Sequence, residues 1–156
     1  MNVKFTIALG IAAILGSAGS PAIAAEHTDE HAAHAAAVGE LALTLDHGKR
    51  WETDATLRTG MGSIKQAFLD YHDAYHDGHL TAAQAKALAD RVDAAVREII
   101  AKCKLAPAAD AELHKVLAAA LGAVNTLRSA DFAPGMPRLH EALLAYGQYF
   151  NHPGWE

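Results

Sequence analysis

The sequence predicts an all-α chain, an antiparallel up-down-up-down four-helix bundle that follows a cleaved export signal. Three observations predict it. Large apolar residues recur every three or four positions along four stretches after residue 53. Asp-Gly, Leu-Ala-Pro and Pro-Gly clusters separate those stretches, and no run alternates as a half-buried strand does. Short loops between amphipathic helices favour antiparallel neighbours.

The elements follow in chain order. Met1 to Lys4 form a basic head, Phe5 to Leu15 are apolar throughout, and Ala22-Ile23-Ala24 places small residues where a signal peptidase reads. That order describes a secretory signal over 1–24, with cleavage after Ala24 or Ala25. The apolar run falls short of the roughly 20 residues a bilayer span needs, and no later run is longer, so the mature chain is expected to lack a membrane span. Residues 25–47 read as a flexible segment holding His27, His31 and His34, with a short apolar patch at Leu41 to Leu45 able to pack on the body. The bundle is expected over 48–156.

Thr53 or Asp54 can cap the first helix, whose seam is Leu57, Met61, Ile64, Phe68, Tyr71 and Tyr75. Asp77-Gly78 ends it. Thr81 to Gln84 has capping-box form and opens the second helix, with Leu88, Val92, Ala95, Ile99 and Cys103 on its seam. Pro107 stops that helix, and the third is expected from near Asp110, burying Leu113, Leu117, Leu121 or Ala120, Val124 and Leu127. After the Pro134 to Pro137 break, the fourth carries Leu139, Leu143, Tyr146 and Phe150.

Composition narrows the partners. Removal of the signal takes one of the 13 basic residues, Lys4, and none of the 18 acidic ones, which leaves a mildly acidic chain. No basic block exists to track phosphates, so nucleic acid is not an expected partner. A single cysteine, Cys103, forbids an internal disulfide in an oxidising compartment, and the periplasm is the expected location.

Alternating helix directions gather two poles. The first collects the start of helix one, the second loop and the C-terminus; the second collects the other two loops. At the first pole lie Cys103, His114, Met61 and His152, a soft thiol, thioether and imidazole set that suits copper, above all Cu(I). At the second lie His72 and His76, one turn apart, able to share a Cu(II), Zn(II) or Ni(II) ion as a separate surface site, with His79, His140, Asp73 and Asp77 nearby. The leading expectation is therefore an exported metal-binding or metal-handling protein, with copper as the expected metal and zinc as the other candidate. A metal-free structural or protein-interaction bundle, docking another periplasmic protein, is the alternative. A b-type haem bundle using Met61 with His114 or His152 ranks below both. No hydrolase, metalloprotease or phosphate-loop motif occurs, and no enzyme is expected.

Gly48 to Asp54 (GKRWETD), Cys103 to Asp110 (CKLAPAAD) with Leu113-His114, and Tyr146 to Trp155 (YGQYFNHPGW) together resemble a family of small exported proteobacterial proteins labelled uncharacterised or DnrO-like. The resemblance spans residues 45 to 156 and implies a small exported protein of no defined activity. Its three segments all fall at the first pole.

Overall fold

The computed structural model describes residues 41–155. The expected signal at 1–24, the His27, His31 and His34 stretch, and Glu156 lie outside the described residues. The chain is an all-α four-helix bundle: α1 (Ala55–His76), α2 (Ala82–Lys102), α3 (Pro107–Leu127) and α4 (Gly135–Tyr149). Two short strands, β1 (Trp51–Glu52) and β2 (Phe150–Asn151), pair in parallel beside it.

The helix starts follow from local chemistry. The Asp54 carboxylate accepts from the Leu57 amide at 2.7 Å and caps α1. Thr81 and Gln84 close the expected capping box on α2. The third helix starts earlier than expected, at Pro107 rather than near Asp110. Proline suits the first helical position because its missing N–H would have no partner there anyway. Phe150, expected on the fourth helix, leaves it and pairs in β2. A two-residue ladder is too short for alternation to announce it.

Packing is closest between helices adjacent in sequence, and α1 meets α4 much more loosely. Asp54 meets Cys103, Gly60 faces Ile99 and Asp70 pairs with Arg91, so α1 and α2 run in opposite directions. Gly60 permits that approach: a Cβ there would fall 2.4 Å from Ile99 Cγ1. The core takes Leu57, Met61, Ile64 and Phe68 from α1, and Leu88, Val92, Val96 and Ile99 from α2. Leu113, Leu117, Ala120 and Val124 join from α3, with Leu139, Leu143 and Tyr146 from α4. Tyr71, Tyr75, Ala95 and Leu121 sit at its margin, partly exposed.

Residues 41–47 lie against the body rather than apart from it. Leu43 is buried, and Thr44 donates its amide and hydroxyl to the two carboxylate oxygens of Glu112, each at 3.0 Å. Lys115 Nζ donates to the same carboxylate, which is why a glutamate is tolerated at 8% exposure. His47 and Gly48 both adopt positive φ, +48° and +83°, and reverse the chain between Asp46 and Lys49.

Candidate functional site

The first pole brings much of the predicted constellation into one neighbourhood, but each member already has a partner. Cys103 follows α2 directly, and its thiol lies 3.6 Å from Asp54 Oδ1. Burial, then the Asp54 charge, pushes its pKa up to about 11, so the sulfur keeps its proton near neutral pH. Asp54 accepts as well from the Lys104 amide at 2.7 Å. Burial pushes the Asp54 carboxyl up, but the Leu57 and Lys104 amides, the Cys103 thiol and Arg58 together hold it below its ordinary value.

His114 turns to its own helix. Its Nδ1 sits 2.8 Å from the Asp110 carbonyl oxygen and 3.4 Å from the Asp110 carboxylate, with the side chain 58% exposed. Met61 is sealed in the core. His152 Nδ1 lies 3.0 Å from the hydroxyl of Tyr146, a fully buried side chain. Burial, then the Arg58 and Lys65 charges, lowers the His152 pKa and favours the neutral ring, the form able to accept a hydrogen bond from the tyrosine hydroxyl. Burial raises the Tyr146 pKa. The expected soft donors are thus engaged one by one inside the chain rather than turned to a common ligand. Among the described residues, no three His, Cys, Asp or Glu side chains are grouped to hold a metal ion.

The C-terminal segment closes over this pole. Thr53 Oγ1 donates to the Asn151 carbonyl, and Asn151 Nδ2 to Glu52. Gly154, at φ +78°, turns the chain so that Trp155 packs on Tyr146 with ring centroids 4.7 Å apart. Gly147 makes room: a Cβ there would lie 2.5 Å from Trp155 Nε1. Lys65 of α1 sits 4.8 Å over the Trp155 ring and donates to its carbonyl. Trp51 is held separately, its Nε1 donating to the Thr44 carbonyl at 2.7 Å.

At the second pole the structure does bring two predicted residues together. The rings of His72 and His76 stand with centroids 4.4 Å apart. His140 stacks on Phe68 at 5.4 Å, and His79 is exposed in the following loop.

The loose α1/α4 seam opens into a groove of about 370 Å³ that sequence reasoning missed. Its walls are Phe68 and Leu69 of α1 with Leu143, Leu144 and Gly147 of α4. Arg50, Lys65, Gln148 and Trp155 line it toward the first pole, and His140 lines it toward the second. Leu69 and Leu144 are 49% and 51% exposed. Each follows a seam residue, Phe68 or Leu143, and such apolar doublets are the signal that widens a helix stripe. The signal is not specific, because Ile100 follows Ile99 on α2 and is exposed outside this groove. No helix among the described residues is long and apolar enough to cross a membrane. The chain matches no known family model, no curated protein and no solved structure.

Proposed function

We propose that this chain is an exported, non-catalytic binding protein that holds a small amphipathic molecule, an anionic head on a medium-length apolar tail, between α1 and α4. One observation carries the reading: the groove changes chemistry along its length. The Arg50 cation lies at its first-pole end, beside a Lys65 that is engaged with Trp155, and Phe68, Leu69, Leu143 and Leu144 continue from there. Scattered exposed leucines are ordinary, but two lining one cavity form a patch of the kind that marks binding sites. From Gln148 to His140 the groove follows eight residues of α4, about 12 Å at helical rise. That suits a medium acyl chain, with its carboxylate near Arg50.

Export rests on the order of residues in 1–24. The non-catalytic reading rests on the missing motifs and on a cysteine that retains its proton. Copper handling at the first pole would require that proton to leave and Met61 to emerge from the core, so the groove is the better-supported site.

The test is a titration of the untagged full chain with a fluorescent dansyl-undecanoate probe, followed by displacement with decanoate or decanol. Saturable binding is expected, with decanoate displacing better than decanol. Leu69→Asp combined with Leu144→Asp should lower probe affinity at least about tenfold, the equivalent of 1.4 kcal/mol, with the helical circular dichroism retained. Arg50→Ala should weaken decanoate and leave decanol unchanged. Absence of saturable binding, or a double variant that binds as the parent does, would overturn the proposal.

A further inference from the structure

We infer that His72 and His76 form a two-imidazole chelate for a divalent transition ion of the Cu(II), Zn(II) and Ni(II) class. The site uses no groove ligand, although Phe68 of the groove wall touches the His72 ring. Both residues lie in the last two turns of α1, four positions apart and so on one face. Their rings stand 4.4 Å apart, tilted by 53°. Two nitrogens bound at about 2.0–2.1 Å to one tetrahedral ion place their ring centroids about 5 Å apart, so this pair need open only slightly to share an ion.

The pair is held in place by its neighbours. Phe68, one turn earlier, meets the His72 ring edge-on at 5.5 Å, and the Tyr75 ring meets His76 at 5.8 Å. Phe68 is itself fixed in the core and stacked on His140. These contacts restrict both imidazoles before any ion arrives, which lowers the ordering cost of binding. His72 Nδ1 lies 3.4 Å from Asp73 Oδ1, leaving Nε2 as the nitrogen free to ligate. A carboxylate on the far nitrogen of a ligating histidine fixes its tautomer and makes it a better donor. The His72 side chain is 38% exposed, so an ion reaches it from solvent.

The remaining coordination positions are open, since no third such side chain completes the group among the described residues. Water fills them, and the site exchanges its ion readily. Imidazole nitrogen selects Cu(II), Ni(II) and Zn(II) over Mg(II) and Ca(II), which prefer oxygen.

Alanine variants of the pair, melted as the untagged full chain, separate this site from the histidines of the N-terminal segment. An ion that clamps successive turns of a folded helix stabilises the fold by mass action, whereas binding that is equal in the folded and unfolded chain does not. Ni(II) or Zn(II) at tenfold excess over Kd should raise the Tm by about 5 °C, and Mg(II) should not. His72→Ala and His76→Ala should each abolish the rise, while His79→Ala keeps it. Electron paramagnetic resonance of the Cu(II) form should report two imidazole nitrogens, falling to one or none in His76→Ala. A rise that survives in both single alanine variants, or no rise with either Ni(II) or Zn(II), would overturn the inference.

Discussion

The first pole and the α1/α4 groove both carry polar and aromatic side chains within one bundle, and they differ in who supplies the partners. At the first pole the chain supplies them all. Cys103 has Asp54, His114 has Asp110, His152 has Tyr146, and Trp155 has Gly147 and Lys65. In the groove, Leu69 and Leu144 are left half in water near Arg50. A residue set that looks like a binding site in sequence can therefore be a clasp. The proposed binding surface lies where, among the described residues, apolar side chains stay uncovered.

Truncations at the two places give the largest expected contrast. Phe150 is wholly buried beneath the C-terminal segment and stacked on Tyr146 at 5.3 Å. Phe150→Ala should cost about 3–5 kcal/mol in urea unfolding, while Leu144→Ala should stay within about 0.5 kcal/mol and still weaken the probe. Equal costs at the two positions would erase the distinction between clasp and groove.

Asp54 gives the next largest effect, because one carboxylate joins the start of α1 to the end of α2. Asp54→Ala should destabilise the bundle by about 1–3 kcal/mol, a lost cap plus a lost bond to the Lys104 amide. Its depressed pKa means that this stabilisation is present above the unfolded value near 3.8 and disappears as pH falls through the folded value. The acid limb of the parent's stability profile should accordingly be steeper than that of Asp54→Asn.

The smallest effect belongs to His152. Its pKa is lowered on folding, so the unfolded chain takes up a proton first as pH falls through about 6.5. Stability should be complete above that pH and decline below it until the folded ring also protonates. His152→Phe should flatten this part of the profile. An unchanged slope would place the ring in solvent instead of against Tyr146.

Helix number, both side-chain caps and most of the seams were legible in the sequence, because they depend on spacing within about 20 residues. Leu57, Met61, Ile64 and Phe68 are buried as their intervals require, and Thr81 caps as its partner Gln84 announces. Long-range partners were not legible. Glu112 is charged and reads as a surface residue until Thr44, 68 positions away, covers it. The His114 ring could not be aimed from sequence, since its bond to Asp110 follows from a rotamer choice on one turn of helix. The groove was hidden for a related reason: spacing shows which residues share a face, while the separation of the first and last helices is set by the whole bundle.

The shielding of Cys103 has one further consequence. An unpaired cysteine in an oxidising compartment invites mixed disulfides and covalent dimers, which begin from thiolate attack. A sulfur held protonated beside a carboxylate is slow to make that attack, so the proposed export would expose the chain to little such cross-linking.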